Sequence, residues 1–201
     1  MNPRPRHQSH VFLGCLILGL IAPTVFSAVA QAQQVFQTQW AAIYYEDPAS
    51  LREMERRLDF SQAQKFSQSY SYTQDPSQAA LSPRLAAKID GLLAKVCLIL
   101  RKRPLKHQDL RIVILKDGKQ VQQRHLAFQP VQTAGPGWFG YGRLEGFYEP
   151  RSHTIFLSLD DLHEGILAHE MAHFVLCEAY AVPPPASLQE DWARHVESSL
   201  N

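Results

Sequence analysis

The sequence predicts an α+β protein in which helices pack on a small sheet, and three stretches carry that expectation. Leu110 to Leu115 holds the β-branched run Ile112, Val113 and Ile114, which favours a strand. Thr154 to Leu159 alternates Ile155, Leu157 and Leu159 with Thr154, Phe156 and Ser158, the period of a half-buried strand. The third stretch is helical: Leu85, Ile89, Leu92, Leu93, Val96, Cys97 and Leu100 recur at close to 3.6-residue spacing.

From the start of the chain, residues 1–32 have the layout of an export signal. Arg4 and Arg6 precede an apolar run from Val11 to Phe26, and Ser27 to Ala32 offers small-x-small sites. Cleavage after Ala30 or Ala32 is expected, which leaves a single domain over 33–201 and a secreted or periplasmic protein. An uncleaved anchor is the alternative, although the run is short for a span of about 20 residues and contains Pro23. Cys15 lies inside the run rather than after it, which argues against a lipoprotein.

The whole chain carries 20 Lys and Arg against 19 Asp and Glu, and loss of Arg4 and Arg6 leaves 18 against 19. Near-neutrality gives no electrostatic footprint for nucleic acid. Of the 3 cysteines, Cys97 and Cys177 remain after cleavage. In an oxidising compartment such a pair suggests one disulfide, with two buried thiols as the alternative.

Gln33 to Asp47 reads as an apolar lead-in whose Trp40, Tyr44 and Tyr45 pack. Pro48 opens a helix over roughly 49–60, with Leu51, Met54 and Leu58 at helical spacing. Ser61 to Gln78, rich in Ser, Gln and Tyr, reads as a polar helix end and loop. Ser82 caps the amphipathic helix, Pro83 suits its first position and Pro104 lies beyond its end. That helix needs a large apolar partner. After the strand at Leu110, Asp117-Gly118 turns the chain into a short helix over Lys119 to Phe128.

Thr133 to Gly146 mixes five glycines with Trp138, Phe139 and Tyr141. No Gly-Lys-Ser/Thr follows, so a phosphate loop is not supported. It reads as an aromatic loop at a cleft rim or as an ordinary surface loop. Phe147 to Glu149 and the Thr154 strand then form a hairpin around Pro150 to His153. Asp161 and Glu164 are a capping pair for the next helix, which runs to about Tyr180 and stops before Pro183-Pro184-Pro185.

That helix carries His169-Glu170-Met171-Ala172-His173. Residues four apart stack on one helix face, so His169 and His173 present two imidazoles at the spacing one Zn²⁺ needs. Glu170 sits one position round, placed to take a proton from an attacking water. With 9 His and 10 Glu in the chain, chance gives a His-Glu-x-x-His count of roughly 0.02. The helix is also apolar on nearly all sides, and burying such polar groups without a strong partner costs several kcal/mol. Cys177, one turn after His173, is a stray ligand candidate but lies about 6 Å further along the axis.

A catalytic zinc wants three protein ligands. The third is expected from the last helix, Ser187 to Leu200, where Glu190, Asp191, His195 and Glu197 are candidates. Here His-Glu-x-x-His, a short connection and a second helix with an early Glu resemble the gluzincin metallopeptidases. Leu188 to Glu197 is similar to the L-N-E-G-x-A-E-Y segment of small members of that clan. The likeness covers about Thr154 to Glu197.

The resemblance implies that Glu190 is the third ligand, with Asp191 or Glu197 as alternatives. It implies a zincin-like fold, a small mixed or antiparallel sheet with an edge strand above the buried motif helix and N- and C-terminal helices packed around it. Thr154 to Leu159 would be that edge, holding peptide as an added strand. A peptide or protein substrate, Zn²⁺, no membrane span after cleavage and a monomer are the corresponding expectations, with Tyr141, Tyr148 and His195 as candidate transition-state donors. Two departures stand out. Asp191 replaces a Gly, and Arg194 stands where the clan often has a carboxylate that orients a histidine, a role Glu197 could take. Ser187 with Glu190 also reads as a capping box that needs no metal. The rival functions are a zinc-stabilised, non-catalytic scaffold or binding protein of the cell envelope and a metal-free, membrane-anchored assembly factor.

Overall fold

Gln33 to Asp47, expected as a packed lead-in, folds into two strands in the computed structural model, which describes residues 33–58, 83–103, 109–128 and 144–200. These strands are β1 (Gln34–Gln37) and β2 (Ala41–Tyr45), paired antiparallel. Their turn is tied to α2 (Pro83–Ile99) by one buried carboxylate. Asp90 accepts from Thr38 Oγ1 at 2.7 Å, Gln39 N at 2.9 Å and Trp40 N at 3.1 Å. The expected export signal, the polar stretch 61–78, the Ser82 cap, the Pro104 stop and the glycine-aromatic loop through residue 143 lie outside the described residues.

α1 (Pro48–Arg57) starts as the proline predicts, with the Asp47 carboxylate accepting from Ala49 N. Its last carbonyls are met from α2, where Lys88 Nζ donates to Glu55 O and Leu58 O. A cation at a helix C-terminus satisfies orphan acceptors and complements the dipole. β3 (Leu110–Leu115) then pairs parallel with β2, and α3 (Gly118–Phe128) follows it. β4 (Gly146–Glu149) and β5 (Thr154–Ser158) form the expected hairpin. α4 (Glu164–Ala179) and α5 (Ala186–Ser198) complete the described elements.

The five strands are ordered β1-β2-β3-β5-β4 in one mixed sheet. This corrects the expected place of Thr154 to Leu159. β5 is interior, parallel to β3 on one side and antiparallel to β4 on the other. The edge strand beside the motif helix is β4. Nor is β5 half-buried, because all five of its residues are buried. Ile155 and Leu157 enter the main core with α2 and α4, while Phe156 faces a smaller cluster with Leu115, Val121 and Phe147 under α3. Helices on both faces remove the polar side that alternation had suggested.

α2 packs against α4 as its apolar face required. The expected Cys97–Cys177 bridge is not formed, and both are free thiols. Cys97 points from α2 into the core, where burial pushes its thiol up to about 11, while Cys177 faces Gln189 of α5. No helix among the described residues is long and apolar enough to cross a membrane.

The β4–β5 turn is held by Glu149, whose carboxylate accepts from Arg151 N, Ser152 N and Ser152 Oγ. Burial works against the charge, but these donors outweigh it and hold the Glu149 carboxyl below its usual value. A depressed folded-state pKa stabilises above the unfolded value and loses that contribution as pH falls through the folded one. Glu149→Gln is therefore expected to cost about 1–3 kcal/mol at pH 7. Denaturant melts at pH 7 and pH 3 should show the gap closing at the acid end; an equal gap at both would refute the assignment.

Candidate metal centre

α4 begins at Glu164 because His163 caps it, its Nδ1 accepting from Ile166 N at 3.3 Å. The Asp161–Glu164 capping pair is not used, since Asp161 accepts the Ser158 hydroxyl instead. Gly165 makes room in this first turn. A Cβ there would lie 3.1 Å from the His163 ring and 3.2 Å from Glu197 Cγ. Beyond it the helix is buried on most sides, and His169 and His173 occupy the stripe that faces α5.

The two histidines bring their Nε2 atoms to 3.3 Å. Glu190 of α5 reaches the same point, its Oε2 lying 3.7 Å from His169 Nε2 and 3.6 Å from His173 Nε2. A tetrahedral zinc with bonds of 2.0–2.1 Å separates its ligand atoms by about 3.4 Å. The triangle therefore has the size as well as the chemistry of a zinc donor set, two imidazole nitrogens and one carboxylate oxygen. All three donors lie within 4.8 Å of one another, and the group could hold a metal ion.

The other candidates take different places. Asp191 is exposed and turns to Arg194 at 3.9 Å. His195 is exposed. Glu197 approaches His169 from behind, its Oε2 3.4 Å from Nδ1. Cys177 directs Sγ to Gln189 Oε1 at 3.7 Å rather than to the histidines. The Ser187–Glu190 capping box does not form: α5 starts at Ala186 after Pro185 with no side-chain cap, which puts Ser187 inside the first turn.

Glu170 is the buried carboxyl of the site. Burial, then repulsion from Glu190, pushes its carboxyl up to about 8, with Glu197 adding to the rise and a hydrogen bond from Tyr148 N opposing it. His173 is pulled down by burial and by His169. For Glu190 burial works upward, but Arg194 and the two histidines outweigh it and lower its carboxyl. A carboxylate held near neutrality beside an open space is the pattern of an acid–base group.

That space is a cleft of about 300 Å³ lined by Leu144, Glu145, Gly146, Ile166, His169, Glu170 and Glu197. The edge strand forms one wall. Ser158 N donates to Glu145 O, so the bonds to β5 fall on alternate residues and Gly146 and Tyr148 turn their backbone polar groups outward. Tyr148 N spends its hydrogen on Glu170. Gly146 is needed for the close approach, since a Cβ would lie 3.0 Å from Leu157 Cδ2 and 3.3 Å from Ile166 Cγ2.

Tyr148 leans on Phe174 with ring centroids 5.9 Å apart, and its buried hydroxyl has no hydrogen-bond partner among the described residues. Burial, then Cys177 and neighbouring carboxylates, pushes the phenol far up, so it stays protonated. Tyr141, the other tyrosine considered as a donor, lies outside the described residues. Gln189 was not singled out from the sequence, and Gly146, read there as the end of the glycine-aromatic loop, opens β4 and lines the cleft. An amide or a glycine has meaning only once its neighbours across the fold are known. Comparisons with protein-family models, with curated proteins and with solved structures returned no match.

Proposed function

We propose that the chain is an exported, zinc-dependent metallopeptidase of zincin type. The observation that carries this reading is the convergence of His169, His173 and Glu190 beside a cleft that also receives Glu170. His169, His173 and Glu190 would hold Zn²⁺, whose chemistry when bound is to polarise a carbonyl and acidify water. Glu170, charged once a cation lies beside it, takes a proton from the attacking water and returns it to the leaving amine. The outward backbone groups of Gly146 and the carbonyl of Tyr148 on β4 supply an edge along which an extended peptide can pair. Arg194 Nε, 3.2 Å from Glu190 Oε1, engages one carboxylate oxygen and leaves the other to the ion.

The cleft favours turnover over the scaffold alternative, because a structural zinc is closed by four protein ligands. Purified protein from which residues 1–32 have been removed is expected to carry about one zinc per chain. His173→Ala should lose that zinc and, with it, hydrolysis of an unstructured protein substrate. Zinc measured by atomic emission at wild-type level in this variant would overturn the site.

A further inference from the structure

The cleft beside the donor triangle has a charge imbalance that the mechanism above does not use. Its described lining holds three carboxyl side chains, Glu145, Glu170 and Glu197, and no Lys or Arg. A divalent cation held by His169, His173 and Glu190 would be offset by Glu190 together with Glu170. Glu145 and Glu197 are then surplus. Neither pairs with a Lys or Arg among the described residues, and the imidazole that Glu197 approaches is neutral as a metal ligand.

The two acids reach the cleft from different elements. Glu145 directly precedes β4, where its carbonyl accepts from Ser158 N at 2.8 Å and the residue stays exposed. Glu197 stands in the last turn of α5 with its side chain 41 % exposed. Leu144, packed on the cluster of Phe147 and Phe156, and the buried Ile166 supply the apolar part of the lining.

An occupant that matches this lining has an aliphatic stem and a cationic head. Among peptide side chains, Lys and Arg are built that way. A volume of about 300 Å³ lies at the low end for ligand pockets and suits one long side chain. We propose that the cleft is a specificity pocket for a Lys or Arg flanking the peptide bond to be cut. Glu145 and Glu197 receive the cation, and Leu144 and Ile166 receive its stem. This rests on the metallopeptidase reading and adds to it the class of peptide. Both acids are partly solvated, so each pairing contributes modestly. Rejection of acidic side chains by like charge then matters as much as attraction of basic ones.

The test gives the zinc-loaded full chain a mixed peptide library and reads the cut sites by mass spectrometry. One cut sequence is then made with Lys, norleucine or Glu at the selected flanking position, and kcat/KM is compared. Lys should exceed norleucine by roughly 3–30-fold, and Glu should fall below it. Glu145→Lys leaves the backbone bond to Ser158 in place. It should bring Lys below norleucine while zinc stays at about one per chain. Glu197→Gln should lower the Lys-to-norleucine ratio, a readout that a change at His169 alone would not move. Cleavage with no basic preference beside the cut, or a ratio unchanged in both variants, overturns the pocket and leaves the peptidase standing. Uptake of a second zinc that Glu145→Gln abolishes would assign these carboxylates to a metal and overturn the pocket as well. A zinc-loaded wild type that cuts no peptide overturns the peptidase reading, and the pocket with it.

Discussion

Glu170→Gln should keep about one zinc per chain and lose roughly 10²–10⁴-fold in peptide hydrolysis. The replacement has the same shape and still accepts the hydrogen bond from Tyr148 N, so the edge strand keeps its hold on α4. What it cannot do is take up a proton. With its carboxyl pushed up to about 8, Glu170 is largely protonated in the metal-free protein at pH 7, so the neutral amide should leave the metal-free melt close to wild type. Zinc content, turnover of a fluorogenic casein and a thermal melt together separate loss of the base from loss of the site. Hydrolysis within tenfold of wild type would eliminate Glu170 as the base.

Asp90→Ala should be among the most destabilising single changes in the fold, costing about 3–5 kcal/mol. Asp90 is 4 % exposed and serves the Thr38 hydroxyl and two successive backbone N–H groups. Truncation leaves the Thr38 hydroxyl and Gln39 N without their acceptor, and Trp40 N with only its longer contact to Thr38 Oγ1 at 3.3 Å. For a domain of this size the cost corresponds to a fall in Tm of roughly 6–20 °C. Asp90→Asn, which keeps an acceptor oxygen, should lose less. A loss under about 1 kcal/mol for the alanine variant would mean that water replaces the carboxylate at the β1–β2 turn.

The helices were legible because their signals are local. Proline after an aspartate marked α1, and an unbroken apolar stripe marked α2. β1 was missed because it is only four residues long with Phe36 alone buried, and β2 because its residues carry no alternation: Ala41, Ala42, Ile43 and Tyr45 are all buried. A strand covered on both faces loses the pattern by which strands are recognised. Strand order was out of reach for a different reason. β5 reads the same whether it is an edge or an interior strand, and only pairing with β3, far away in sequence, decides. His169, Glu170 and His173 declare themselves through spacing on one helix. Glu190 needed the resemblance, and the structure separates it from Asp191 and Glu197 by direction alone. The cysteines misled because compartment says whether thiols pair, while geometry says which can meet.

His169, His173, Glu190 and Glu197 all follow the last strand of the sheet in the chain. Synthesis delivers residues in order at roughly 5–20 per second. Every described strand and the first three described helices are therefore made before His169 emerges, and Glu190 follows only after the proline-rich link. On the metal reading proposed above, choice of ion would fall to a finished scaffold, whose fixed spacing can refuse ions that a flexible chain would accept.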